Sequence, residues 1–425
     1  MAGGWSCQVT SRRWGRVTAF VLALLGATVD GGAQELDIHG FVQANYSLRV
    51  AEPAPGDPVD DFLLGDHRVQ LELGSSSDSG TVRFGSKVDL VHDAVSGEAM
   101  LDLRETHITF GRDRYDVTVG RQVLTWGVGD LLFINDVFTK DWTALIAGQP
   151  LQYLKVGSDA LNTNLYLGPV SVQIVAVPFF EPDVLPRGDR IVGYTPFPGL
   201  PVVAELPDRT LRNTELAARL SGYVGGFDVA AYAYRGFWGA PPGIRPDIGR
   251  VTWYYPHLSV YGGSLQGAFG SGILSGEVGF YDSRNDAGGR NPAIENSQVR
   301  LLVGYQRAFG SDLTVGGQYS AERMLDHDAY RATLPSGFPE RPGTRHNLTA
   351  RVTRTFNYQS SHVSVFFWGS PNERDFFLNP EVRHGVTDEA WVAVGANLFG
   401  GTEPHTFFGQ FDRNDNLYAT VRYSF

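Results

Sequence analysis

The residues able to do chemistry in this chain are charged, and they recur at even spacing. Arg68 and Glu72 are four apart; Arg83, Lys87 and Asp89 follow, then Asp116, Arg121, Glu215, Arg219, Glu277, Arg300, Glu322, Arg351 and Arg422. On an extended chain, positions two apart share a face. Charges arranged this way suit a water-filled passage, where facing rows of opposite sign set a transverse field and bias the flux of solutes. They equally suit cross-strand ion pairs that stiffen a wall.

Hydrolysis would need a nucleophile beside a histidine. His92-Asp93, His327-Asp328 and His362 are the nearest approach, and none belongs to a recognisable nucleophile motif. A hydrolase built on the rim of the fold would require a Ser or Asp within hydrogen-bond reach of one of these histidines. The ten histidines show no metal-ligand spacing, and the glycine-rich stretches lack a phosphate-loop pattern. The sequence therefore predicts no enzyme, no metal and no cofactor.

The elements that position these charges are strands. Leu417, Ala419, Val421, Tyr423 and Phe425 alternate with Tyr418, Thr420, Arg422 and Ser424. Val299, Leu301, Val303 and Tyr305 oppose Arg300, Gly304 and Gln306; Leu313, Val315 and Tyr319 oppose Thr314, Gln318 and Glu322; Val82, Phe84, Val88 and Leu90 oppose Arg83, Lys87 and Asp89. Alternation alone fits a soluble sandwich as well as a barrel. Connection lengths separate the two. Short ones (75–80, 111–115, 168–169, 225–226, 270–272, 310–312, 358–361) alternate with long ones (51–61, 127–157, 181–211, 239–256, 326–345, 400–414). Short turns on one rim and long loops on the other characterise a bacterial transmembrane barrel. The count predicts an all-β, antiparallel barrel of about eighteen strands, or sixteen if the weak segments 159–167 and 376–386 are loop.

Composition agrees. Only 19% of the 425 residues are charged and 12% are aromatic, with 51 glycines. That balance fits tight turns and interfacial girdles. A net charge of −11 without a basic run excludes nucleic acid as a partner. Arg12, Arg13 and Arg16, the apolar run 17–29 and the small residues 31–33 predict a cleavable export signal over 1–33, with the barrel over 34–425. The lone cysteine, Cys7, lies inside that signal. No later segment is apolar enough for a membrane helix. The expected location is the outer membrane, reached through the periplasm, with its lipid as the surrounding partner.

The loop 127–157 contains Leu131-Leu132-Phe133-Ile134 and Trp142-Thr143-Ala144-Leu145-Ile146, too apolar for water. Folding inward would bury them and bring Asp130, Asp136, Lys140 and Asp141 into the passage as a constriction. Trp238, Trp253, Tyr254, Tyr255, Phe366, Phe367 and Trp368, near strand ends, are expected in the interfacial girdle.

Two stretches carry a more specific signal. One is Gly120-Arg121-Gln122-Val123-Leu124-Thr125-Trp126-Gly127, followed by Asp130 and Asn135-Asp136-Val137-Phe138. The other is Phe407-Phe408-Gly409-Gln410-Phe411, then Asn414-Asp415-Asn416-Leu417-Tyr418. Together they resemble a family of porin-like outer-membrane β-barrel proteins of the Gram-negative type, which has no settled substrate. The resemblance implies the location and the fold and little about substrate; the sequence as a whole is read as a channel for passive diffusion of small hydrophilic solutes through a wet pore narrowed by an inward loop. The alternative is a closed lumen, serving a hydrophobic-compound transporter or a scaffold in a secretion or assembly complex. The final strand, with Tyr423 and Phe425, resembles the signal read by the barrel-assembly machinery, and a homotrimer is compatible with the channel reading.

Overall fold

The computed structural model describes residues 36–52, 61–186 and 190–425; the export signal expected over 1–33 lies outside them. Eighteen strands form one sheet. They are β1 (Leu36–Arg49), β2 (Phe62–Ser76), β3 (Val82–Asp93), β4 (Glu98–Arg112), β5 (Tyr115–Val123), β6 (Gly157–Tyr166), β7 (Val170–Val177), β9 (Glu215–Val224) and β10 (Phe227–Phe237). The chain continues with β13 (His257–Phe269), β14 (Gly272–Ser283), β15 (Gln298–Phe309), β16 (Leu313–Met324), β17 (Thr344–Phe356), β18 (Ser361–Ser370), β19 (Asp375–Gly385), β20 (Ala390–Gly401) and β21 (Asn416–Ser424). Three further short strands, β8 (Val202–Glu205), β11 (Gly243–Asp247) and β12 (Arg250–Tyr254), make a separate sheet within the loops. Both weak segments of the sequence, 159–167 and 376–386, are full members of the wall as β6 and β19.

Each wall strand pairs antiparallel with its neighbour in the chain, and β1 pairs with β21 from Phe41↔Ser424 to Arg49↔Asn416. The sheet is thereby closed and has no edge, which is the condition for strands to cross lipid. The faces sort as alternation requires. On β1, Val42, Tyr46 and Leu48 are exposed outward, while Gln43, Asn45 and Ser47 are buried inside. On β21, Leu417, Val421 and Tyr423 face out, and Asn416, Tyr418 and Thr420 face in. An apolar exterior around a polar interior inverts a soluble protein; this is an outer-membrane barrel.

Eight short connections lie on one rim: 77–81, 113–114, 167–169, 225–226, 270–271, 310–312, 357–360 and 386–389. The other rim carries the long loops, with two exceptions, 94–97 and 371–374. These two are tight because the chain closes on itself at once: Asp93 Oδ1 accepts from Val95 N at 3.0 Å, and Arg374 N donates to Ser370 O at 2.7 Å.

The seam between first and last strands depends on one glycine. Gly40 N donates to Phe425 O at 3.0 Å and Phe425 N donates to Gly40 O at 2.9 Å. A Cβ at position 40 would lie 2.4 Å from Gln70 O and 2.8 Å from the Phe425 ring. Replacing Gly40 with Val is therefore expected to lower the folded fraction severalfold. Loss of the heat-sensitive band on unboiled gels measures this, and an unchanged folded fraction would show that the seam tolerates a side chain.

Candidate functional site

The loop 124–156 leaves β5 and enters the lumen. It does so because its first residues are fixed to the wall. Trp126 Nε1 donates to Gln173 on β7 at 2.8 Å, Asn162 Nδ2 donates to Gln122 at 3.0 Å, and Arg121 pairs with Asp159 and Glu181. Gly127 then turns at φ +83, where a Cβ would stand 2.9 Å from Glu277 Oε1. Only glycine accepts both that conformation and that approach.

Glu277, inward on β14, holds the turn. Its carboxylate accepts from Val128 N at 2.5 Å, Gly129 N at 2.9 Å, Asn135 N at 3.1 Å and Asn135 Nδ2 at 2.8 Å. Gln318 on β16 accepts from Asp130 N at 2.9 Å, and Tyr281 donates to Ile134 O at 2.5 Å. Further along, Asn397 and Asn416 both donate to Ile146 O, and Asn45 donates to Gly148 O. The wall strands that grip the loop lie on both sides of the β1–β21 seam and run round to β14.

Between these polar contacts the loop brings its own apolar core. Leu131, Leu132, Ile134, Leu145, Ile146, Ala147 and Leu154 pack against inward Phe366, Trp368, Phe377 and Phe399, joined by Ile191, Phe408 and Phe411 from two other long loops. Phe366 and Trp368 are thus core residues and not girdle residues. Trp238 is buried as well, stacked on Tyr281. Phe367, their neighbour in the chain, does face outward. Near a strand end, only the face decides whether an aromatic meets lipid or lumen.

The four loop charges take different positions. Asp130 faces open space and pairs with Arg351 Nε at 2.6 Å and Nη2 at 2.9 Å. Asp136 and Lys140 are buried against each other at 2.9 Å, and Lys140 Nζ also donates to Phe138 O. Asp141 caps helix α1 (Trp142–Ile146), accepting from Ala144 N at 3.1 Å. Burial pushes the Asp141 carboxyl up to about 6, against the pull of the backbone amides it caps. Burial likewise raises Asp183, which accepts from Lys140 N and Trp142 Nε1.

The wall charges divide into paired groups. Arg68 pairs with Asp66 and Asp89 and stacks on the loop's Tyr153 at 4.0 Å. Lys87 bridges Glu72 and Glu105 on the flanking strands at 3.4 and 3.7 Å. Arg83 lies 3.4 Å from Asp116. Arg300 stacks on Tyr281 and donates to Gln298, while Glu322 accepts from Asn347. Arg219 lies 5.9 Å from the Tyr232 ring, and Glu215 accepts from the Tyr234 hydroxyl. Tyr423 and Phe425 lie outward at the closing seam.

Arg422 belongs to a different neighbourhood. Beneath the loop, on the short-turn side, is a cavity of about 260 Å³ between the loop segment 148–152 and the inner face of β17 to β21. Arg351, Arg383, Arg422, Glu381, Asn379 and Trp391 line it. Arg383 stacks on Trp391 at 3.8 Å, and Arg422 stacks on Phe41 and donates to Gln43. Arg383, Glu381 and Trp391 are additions to the sequence reading. The one signal for Arg383 and Glu381 was the alternation of β19, a strand whose pattern Pro380 weakens; Trp391 lies at the start of β20.

Of the histidines that bear on hydrolysis, His92 bonds to His67 and His327 to the Arg341 carbonyl. Among the described residues no group of three or more His, Cys, Asp or Glu is placed to hold a metal.

No protein-family profile matches the sequence, and no curated protein matches it. Solved structures share its fold. Pseudomonas aeruginosa OccK3 (OpdO) aligns over 92% of this chain and 96% of its own, with 9% identity and a TM-score of 0.55. OccK11 (OpdR) and OccK5 (OpdH) of the same organism each give 9% identity, a TM-score of 0.54 and 92% of this chain, over 95% and 98% of their own. At this identity the likeness speaks for the fold, that of porin-type outer-membrane barrels.

Two outcomes are expected. Replacing Glu277 with Leu leaves the Val128, Gly129 and Asn135 amides without their acceptor, a loss of about 3 kcal/mol. Amide exchange over 127–136 should then quicken by about a hundredfold while the wall strands keep their protection; unaltered exchange would show that the apolar core alone holds the loop. The second concerns pH. The Asp141 carboxyl binds its proton more tightly in the folded chain (about 6) than when unfolded (3.8). Its contribution to stability is therefore present below the lower value and is lost as pH rises through the upper one. Between pH 7 and 5 the urea midpoint of the wild type should rise by more than that of Asp141→Asn; equal rises would mean that Asp141 is not the group responsible.

Proposed function

We propose that the protein is an outer-membrane channel that passes small hydrophilic solutes by diffusion through a lumen narrowed by the inward loop. The observation that carries this reading is the cavity beneath the loop, where Arg351, Arg383, Arg422, Glu381 and Asn379 stand beside the apolar Leu131, Leu145, Phe366 and Phe377, in a barrel whose exterior is apolar. A lumen of eighteen strands is too wide for wall side chains to fill. Its bore is set by what folds into it, here the loop gripped by Glu277, Gln318 and Arg351. The Asp130–Arg351 pair stands at the loop's edge and is the candidate selectivity point. Below it, Arg383 and Arg422 outnumber Glu381, which favours anions over cations. The remaining wall groups, Lys87 between Glu72 and Glu105 and Arg83 with Asp116, serve as pore lining of mixed charge.

A closed lumen is the competing reading. It is favoured by the continuous apolar cluster that joins the loop to Phe366, Phe377 and Phe408. On that reading the barrel is a scaffold or carries hydrophobic compounds. On either reading, Tyr423 and Phe425 on the closing strand are proposed as the contact for the barrel-assembly machinery. Self-association as a trimer would use the exposed wall.

Single-channel recording from the refolded protein in a planar bilayer separates the two readings. Steady openings are expected, and deletion of 131–146 should raise the conductance severalfold. Under a salt gradient, Arg383→Glu combined with Arg422→Glu should move the reversal potential towards cation preference. A silent wild type that the deletion opens would establish the closed lumen, and a deletion without effect would remove the loop from the path.

A further inference from the structure

A second constellation lies on the opposite side of the wall, away from the lumen. His67 on β2 and His92 on β3 are direct partners across the ladder. His67 lies between Asp66 and Arg68, which are both buried inward, so its ring faces out. The two imidazoles are stacked, 5.5 Å apart between ring centres, with 3.3 Å between His67 Nδ1 and His92 Nδ1. The other ring nitrogen of His67, Nε2, is 2.5 Å from the Tyr46 hydroxyl. Tyr46 is in turn packed edge-on against Phe62. Nothing in the solute path uses these groups.

We infer that His67 and His92 form a binding site for a single transition-metal cation of the zinc or copper class on the outer wall, near the long-loop rim. The geometry has three parts. Imidazole nitrogens bind zinc at about 2.0–2.1 Å, and at a tetrahedral angle two of them stand about 3.3 Å apart. That is the separation already present between the two Nδ1 atoms. Imidazole pairs suit zinc, copper and nickel over calcium or magnesium, which take oxygen ligands. Finally, a ligating histidine is usually fixed by a hydrogen bond from its other ring nitrogen. Here the hydrogen bond between His67 Nε2 and the Tyr46 hydroxyl orients the ring; in the metal-binding tautomer Nε2–H donates to the Tyr46 oxygen and Nδ1 keeps a lone pair facing His92. Without metal, a proton bridging the two Nδ1 atoms fills the same place. With two protein ligands the site is open, and water completes the coordination.

The wall supplies its own control. His346 on β17 bonds to Tyr319 at 2.7 Å with the rings stacked, the same Tyr–His pairing on the same exterior face. The hydrogen bond uses His346 Nδ1, and no second imidazole faces it among the described residues. Any affinity that comes merely from an exposed histidine beside a tyrosine should appear equally at this position.

The test uses the untagged, refolded barrel in a detergent without metal-binding groups. Zinc chloride is titrated by calorimetry, and copper(II) is added for electron paramagnetic resonance. One cation per chain and a spectrum with two equivalent nitrogen ligands are expected. His67→Ala and His92→Ala should each weaken binding at least tenfold and remove one nitrogen from the spectrum, while His346→Ala changes neither. His92→Asn repeats the measurement with a smaller change of volume, and the gel mobility of the folded band verifies that each variant is a barrel. Binding by the wild type no tighter than by the double variant His67→Ala/His92→Ala would overturn the site. So would an equal loss in His346→Ala.

Discussion

Everything in this molecule follows from the obligation to pair backbone amides where there is no water. A strand in lipid must find a partner on each side, since an unpaired amide there costs several kcal/mol. The pairing of β1 with β21 removes the last two edges. Closure fixes the direction of every side chain on the wall, because the period of two leaves no choice once one residue faces lipid. The exposed Val42, Leu48, Leu417 and Val421 at the seam therefore imply buried Gln43, Asn45, Asn416 and Thr420. Two of those polar groups, Asn45 and Asn416, in turn become sockets into which the loop is plugged.

The interior differs from a soluble core in the kind of interaction that holds it. A barrel of this circumference encloses more space than its wall side chains can fill. The chain solves this by sending in a loop with an apolar cluster of its own and receiving it with inward aromatics on β18, β19 and β20. Apolar packing alone would leave the loop's amides buried without partners. Glu277, Gln318, Asn45, Asn397 and Asn416 supply acceptors and donors where the loop needs them. Buried charge is admitted only in company, as in Asp136 with Lys140 and Arg68 between Asp66 and Asp89. In each case removing one partner would leave the other stranded, which costs more than the pair contributes.

The wall was the most legible part of the sequence because its signal is local. Alternation in 299–306, 313–322 and 417–425 fixes both strand and facing, and the short turns mark one rim. Even the weak segment around β19 is recovered, although Pro380 removes an amide from it. The inward path of 124–156 was legible from its apolar residues, since water offers them nothing. What those residues would meet was not. Asp130, Asp136, Lys140 and Asp141 look alike in sequence, yet one faces space, two bury against each other and one caps a helix. Which fate each takes depends on how the loop folds, and for Asp130 and Lys140 also on partners distant in the chain, Arg351 and Asp183. The aromatics near strand ends failed for the same reason. Phe366 and Phe367 are adjacent, and only the wall's inside and outside distinguish core from girdle.

The placement of the cavity bears on how a solute would be handled. It lies on the short-turn side of the loop, so a solute entering from the long-loop rim meets the plug before it meets Arg383 and Arg422. At the plug the charges are neutralised locally, Asp130 by Arg351, and the contacts are many and rigid. Beneath it the arginines are held by stacking on Trp391 and Phe41, contacts that orient a guanidinium without cancelling its charge. A stacked arginine keeps donors free for a passing anion, whereas one in a bidentate pair does not. On the diffusion-channel reading proposed above, size would be tested first, at the loop, where charge is balanced, and charge second, beneath it, where the arginines stand. That order would follow from position: the Asp130–Arg351 pair neutralises itself at the loop's edge, whereas Arg383 and Arg422 lie beyond it towards the short-turn rim, where two arginines face one Glu381.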